Sequence, residues 1–266
     1  MSSSALRGFA TTFRPSALVA LPCGLHRPYE GSGAVSGSFK TVFGAPVRLR
    51  VMSEQSFTPA LGRFALPRVY DSLIALTRER VWRGSVAMHA AVRGGDVVLD
   101  VGCGTGSLAL LLRRVEPEAR IIGVDPDAKV LAAARRKTGA DAVEWRVGMG
   151  DALTSVTESG SVDVVVSSLV LHQCPVAMKR AILGSMLDVL KPGGRLVIAD
   201  FGEQRTKAMR LAFRLVQLAD GKDDTQFNAD GKLPGLMSDV GFRQVREAET
   251  VSTVNGSISV YTARRG

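Results

Sequence analysis

VLDVGCGTGSLALLL, Val98 to Leu112, is the stretch on which the fold turns. With Val97 in front, its first residues form a short, nearly continuous apolar run, as expected of a parallel strand covered on both faces. Gly102, Gly104 and Gly106 follow at alternate positions. Glycine there lets the backbone turn tightly and approach a ligand with no side chain intervening. A helix opening near Thr105 would then point its free N–H groups at whatever lies above the turn.

Spacing decides which ligand suits such a turn. A dinucleotide fingerprint needs GxGxxG, whereas this chain has GxGxG with Ser107 where the third small residue would fall. With Asp100 inside it, DVGCGTG resembles motif I of the class I S-adenosylmethionine (SAM) methyltransferases. Three further features follow in order: Asp125 closing the apolar run Arg120–Asp125, GMGDA at Gly148–Ala152, and LKPGGRLVIAD at Leu190–Asp200. The resemblance covers about residues 57 to 266 and looks closest to the group containing the ubiquinone and menaquinone C-methyltransferases. It implies an α/β fold, a Rossmann-like sheet of seven strands with an antiparallel seventh and helices on both faces. It also implies SAM as cofactor.

The resemblance carries roles to particular residues. Cys103 reads as a small apolar filler of the turn and not as a nucleophile. It counts with Asp100, Gly102, Gly104, Thr105 and Gly106 among the cofactor-binding positions. Asp125, at the carboxyl end of the second strand, can accept hydrogen bonds from both ribose hydroxyls, and Pro126 opens the next helix beside it. In the family the GDA position sets an aspartate near the adenine amino group, which selects Asp151 with Gly150 and Ala152. Tyr70, in a Tyr-Asp pair within the N-terminal helices, either approaches the methionine end of the cofactor or simply packs with its hydroxyl at the surface.

The segment past the fourth strand, Ser161–Ser168, borders the methyl-transfer site. Methyltransferases of exocyclic base amines carry an Asn/Asp-Pro-Pro-Tyr/Phe tetrad there. This chain has Ser167-Ser168-Leu169-Val170, with Ser167 beside the cofactor, which argues against base N-methylation. His172 has two readings: a base that deprotonates or orients a hydroxyl acceptor, or, as in similar small-molecule methyltransferases, a cofactor contact or support for its loop. Residues 203–232 form an insertion after the fifth strand, expected as a helix from Glu203 to Ala219 followed by a polar stretch, Asp220–Asp230. Its apolar positions Met209, Ala212, Phe213 and Val216 face a core, while Arg205, Lys207, Arg210 and Arg214 are basic. Segments Phe242–Val251 and Ser257–Ala263 alternate in polarity and read as a closing hairpin across Asn255-Gly256.

Composition bounds the rest. With 266 residues, 45% of them hydrophobic, the chain can bury a full core as one α/β domain at 52–266, with cap helices over 57–92 and a lid at 203–232. The net charge is +9, and residues 1–51 hold six basic residues against one acid, so the excess is mostly N-terminal. A nucleic-acid footprint needs a basic stripe on the folded part, and the expected partner is a small-molecule methyl acceptor. Residues 1–51 lack either period and read as disordered. An upstream extension before a natural start at Met52 is favoured over an organellar targeting segment. Three cysteines without a CxxC pair suit a reducing, cytoplasmic setting. No apolar run reaches the roughly 18 residues that would span a bilayer. Two alternatives to a small-molecule enzyme stay open: a non-catalytic SAM-binding scaffold and an RNA methyltransferase. Oligomeric state and the acceptor atom are not encoded in any recognisable pattern.

Overall fold

The computed structural model describes residues 78–266. Within them, seven strands form one sheet in the order β3-β2-β1-β4-β5-β7-β6. The strands are β1 (Val97–Val101), β2 (Arg120–Asp125), β3 (Glu144–Val147), β4 (Val162–Ser168), β5 (Leu190–Phe201), β6 (Arg243–Thr253) and β7 (Gly256–Arg264). The first five are mutually parallel, and β7 runs antiparallel between β5 and β6. The seven-stranded sheet expected from the sequence is present. The chain moves outward from β1 to β2 and β3, then returns to lay β4 on the other side of β1, so a crevice opens at the carboxyl ends of β1 and β4.

Alternation along each strand divides the core into two layers. Val98, Val164, Val166, Val197 and Ala199 point to one face, under α1 (Glu79–Ala90), α2 (Ser107–Val115) and α5 (Lys207–Asp220). Leu99, Val101, Val165, Leu196 and Ile198 point to the other, under α4 (Val176–Val189) and α7 (Leu233–Val240). The remaining helices are α3 (Ala128–Arg135) and α6 (Lys222–Ala229). Each fully buried valine, leucine or isoleucine contributes about 1.5–3 kcal/mol, so the central strands are the most strongly held part of the molecule.

Four local expectations need correction. Helix α2 starts at Ser107, because Gly106 at φ 75° is not helical and serves as the N-cap. Lys191-Pro-Gly-Gly194 is no separate turn. It lies within β5 as an irregularity where the β4 pairing jumps from Val162↔Leu190 to Val164↔Arg195. The polar stretch 220–230 is largely helical, since Gly221 ends α5 and α6 begins at Lys222, with Asp223 and Asp224 in its first turn where the helix dipole favours acids. On α1, where Val81, Val86 and Met88 recur at helix spacing in the sequence, the buried face is Trp82, Val86, Ala87 and Ala90, while Val81 and Met88 are exposed, because the large indole takes the core position. Tyr70, residues 1–51 and the part of the expected cap before residue 78 lie outside the described residues.

Candidate functional site: a cofactor cradle and the segment beside it

The glycine turn is fixed by backbone bonds to the neighbouring strand. The N–H groups of Gly102 and Cys103 both donate to the Val124 carbonyl, at 2.8 and 3.0 Å. The Gly104 N–H donates to Asp125 Oδ2 at 2.9 Å, and Oδ1 of the same carboxylate accepts the Asp127 N–H at 2.9 Å. Asp125 therefore ties the turn after β1 to the start of α3. Burial raises its pKa above the usual carboxylate range, opposed by those two N–H bonds. Lys137 Nζ closes the outer side of the turn, donating to Thr105 Oγ1 at 2.8 Å and to Ser107 Oγ at 2.9 Å.

Two of the glycines are sterically required. A Cβ on Gly102 would strike the Val170 side chain, and one on Gly106 would strike the Trp145 ring. Both positions have positive φ, 70° and 75°, a region disfavoured for other residues. Trp145 itself lies over β2, where a Cβ on Gly123 would come within 2.8 Å of its ring. Its indole N–H donates to the Ala140 carbonyl at 2.9 Å. Cys103 Sγ fills the space next to it, 3.1 Å from the same Gly123 position. Burial pushes the Cys103 thiol well up, so it stays neutral packing.

The loop after β3 joins this assembly through the Gly148 N–H, which donates to the Asp125 carbonyl at 3.2 Å. Further along, the Leu153 N–H donates to Ser185 Oγ of α4 at 2.7 Å, so Gly150, Asp151 and Ala152 are held between β2 and α4. Ser167 Oγ donates to the Val101 carbonyl at 2.8 Å, locking the end of β4 to the end of β1. Pro126 sits between Asp125 and the α3 N-cap, Asp127. Thus the residues singled out from Asp100 to Ser167 converge on the carboxyl ends of four adjacent strands.

Two carboxylates in this group are poorly compensated. Both oxygens of Asp100, and Oδ1 of Asp151, are buried with no hydrogen bond. Buried polar atoms are rarely left so, and an isolated buried carboxylate is costly. Burial lifts the Asp100 pKa to about 7, against the attraction of Arg83 and of the Ala109 N–H. Acceptors waiting for donors, above a turn stripped of side chains, fit a ligand that carries an ammonium group, hydroxyls and an amino-substituted ring. SAM has all three. Among the described residues no cluster of His, Cys, Asp or Glu could hold a metal ion.

The segment leaving β4 is built differently. Leu169 has φ 55°, an uncommon value for a leucine. Next comes a short 3-10 turn, Leu171–Gln173. Asp200, at the end of β5, accepts the N–H groups of Leu171 and His172 on Oδ2, at 2.7 and 3.3 Å. Its Oδ1 accepts from His172 Nδ1 at 2.7 Å and from the Phe201 N–H at 2.8 Å. His172 Nε2 faces Asp220 Oδ2, at the end of α5, at 3.4 Å. Burial opposes the imidazolium, but the two carboxylates outweigh it and the pKa rises to about 9. Both ring nitrogens of His172 thus face carboxylates. The sequence did not flag Asp200, Asp220 or Lys179. Lys179 is fully buried on α4 and donates to the carbonyls of Leu171, Cys174 and Asp224 at 2.6, 2.5 and 2.9 Å, clamping the turn to α6. A lysine inside the apolar stripe of Ile182 and Met186 was the available signal.

The sheet order, with β7 antiparallel between β5 and β6, is that of a Rossmann-like methyltransferase fold. Residues 98–194 match the methyltransferase domain family. Over this span the chain resembles methyltransferases. It is 33% identical over 145 residues to the demethylmenaquinone methyltransferase of Thermus thermophilus, covering 54% of this chain and 65% of that protein. Among solved structures it resembles a chain of the complex between the Haloferax volcanii Trm112 methyltransferase activator and a putative methyltransferase. That match has a TM-score of 0.57 at 18% identity, over 74% of this chain and 93% of that one. It also resembles the magnesium protoporphyrin IX methyltransferase of Synechocystis solved with bound SAH, with a TM-score of 0.52 at 21% identity, over 75% and 83% of the two chains. At these identities the structural likeness speaks to fold alone. The chain spans just under two thirds of the length of the Thermus relative.

Proposed function

We propose that the chain transfers a methyl group from SAM to a small-molecule acceptor admitted beside the end of β4. The observation that carries this reading is the convergence of unmet carboxylate oxygens on Asp100 and Asp151 with the open glycine turn. Asp100 would take the cationic amino group, and Asp125, with lone pairs beyond the two already used, the ribose hydroxyls. Asp151 would accept the ring amino group, with Gly150 and Ala152 beside it. Gly102, Cys103, Gly104, Thr105, Gly106, Pro126 and Ser167 complete the cradle, and Tyr70 remains a proposed contact at the methionine end.

When bound, the cofactor supplies a methyl on a sulfonium, whose departure leaves a neutral thioether. The chain then has to align the acceptor and exclude water, and orientation alone can supply on the order of 7–11 kcal/mol. His172 acts as a positioning residue here, holding the Leu171–Gln173 turn and the end of α5 between Asp200 and Asp220. The Thermus relative, a demethylmenaquinone methyltransferase, supports a small-molecule acceptor, and the missing base-amine tetrad at Ser167–Val170 agrees with it.

Calorimetric titration with SAM tests the cradle. Binding is expected for the wild type and is expected to fall in Asp100→Ala, Gly104→Val and Asp125→Ala. No binding, or binding indifferent to all three, sinks the assignment. Turnover of labelled SAM on a metabolite extract then separates an enzyme from a binding scaffold.

A further inference from the structure

Helix α5 carries apolar side chains on two faces. Phe213 and Val216 point inward and join the sheet's core. Leu211, Leu215 and Leu218, spaced i, i+4 and i+7, point outward and are 64, 62 and 83% exposed. Single exposed leucines are ordinary on a protein surface, but a continuous stripe on one helix face marks something that covers it. Beside the stripe, one step round the helix, stand Lys207, Arg210 and Arg214, all exposed, with Arg210 donating from Nε to the Gln204 carbonyl at 2.8 Å and attracted to Asp230. No acid occurs from Lys207 to Ala219, and the one at the helix end, Asp220, is turned inward onto His172.

We infer that this outward face of α5 docks the protein on an anionic lipid bilayer. Leucines flanked by cations with no acid among them are the make-up of a helix that lies in the interface plane, its apolar side chains among the acyl chains and its charges at the headgroups. Charge also separates this occupant from the others. A second copy presenting the same face would bring Lys207, Arg210 and Arg214 against themselves. The stretch of this chain before the described residues is itself basic: residues 1–77 hold eight Lys and Arg against Glu30, Glu54 and Asp71. Neither brings a net negative charge to neutralise the face, whereas an anionic headgroup layer does. Docking in this way would place the end of α5, and so the His172 turn, near a reservoir of lipophilic acceptors. The docking itself does not depend on which acceptor is methylated.

Flotation of the full-length chain with equimolar phosphatidylglycerol/phosphatidylcholine vesicles, without cofactor or acceptor, tests the inference. The wild type is expected to float with these vesicles and not with pure phosphatidylcholine, and to be released by high salt. The combined variant Leu211→Gln/Leu215→Gln/Leu218→Gln is expected to lose roughly tenfold or more in vesicle affinity, with unchanged SAM affinity and an unchanged melting temperature. Lys207→Glu/Arg214→Glu is expected to abolish the preference for the anionic vesicles. No flotation, or flotation indifferent to the leucine variant, overturns the inference. So does a lower melting temperature of that variant, which would mean that the chain's own N-terminal stretch covers the leucines. A doubled mass in light scattering that the leucine variant halves also overturns it, in favour of a second copy.

Discussion

The cradle at the ends of β1 to β3 and the turn that leaves β4 lie side by side, yet opposite means hold them. The cradle is shaped by backbone: three glycines at positive φ, N–H groups given to Val124, and one carboxylate on Gly104 and Asp127. The turn is shaped by buried side chains, with Asp200 and Lys179 gathering its N–H and carbonyl groups from other elements. A backbone-built site keeps its form whatever the surrounding side chains become. A site held by two charged residues is retuned by changing either, which suits the part that must meet different acceptors.

The comparison breaks if damage on one side reaches the other. The largest effect is expected from Gly106→Val, which forces an unfavourable φ and strikes the Trp145 ring. SAM affinity should fall at least ~100-fold, about 2.7 kcal/mol, in calorimetry. Lys179→Met comes next. It leaves the carbonyls of Leu171, Cys174 and Asp224 without their donor, and about 2–3 kcal/mol of stability should be lost in urea unfolding. Its SAM affinity should change by less than about threefold, near 0.6 kcal/mol. If that affinity collapses as well, the two regions are one unit.

Two smaller predictions concern pH. The Asp100 carboxyl has its pKa raised to about 7, so it is protonated below that and cannot hold a cation there. SAM affinity should therefore fall by up to about tenfold per pH unit below 7, and Asp100→Asn should flatten the profile. His172 has its pKa raised from 6.5 to about 9 in the fold. The stability it contributes is fully present below pH 6.5 and is lost as pH rises through about 9. The gap in urea midpoint between wild type and His172→Gln should narrow over that window. A constant gap would mean that the imidazole contributes by packing on Phe201 alone, 5.0 Å away.

The same contrast explains what the sequence made legible. Strands β1, β2 and β4 and the candidate cradle residues carry local patterns, because a glycine turn and an acid ending an apolar strand each show within a few adjacent residues. The acceptor-side residues do not. Lys179 meets the carbonyl of Asp224, 45 positions away, and His172 meets Asp200, 28 positions away. No short-range spacing announces such pairs. Periodicity also misled on α1, where Val81 and Met88 fit a helical stripe but Trp82 took the buried face. On α5 it found the inward stripe and passed over the outward one.

Trp145 gives the cradle a property of its own. The chain has two tryptophans. Trp82 is sealed in the core, while Trp145 rests against Gly106 and Gly123 with its ring between the turn and the second strand. The emission of that indole is thus an optical gauge built into the cofactor turn. In a Trp82→Phe background, a shift on adding SAM would record the turn's response residue by residue, with no label attached.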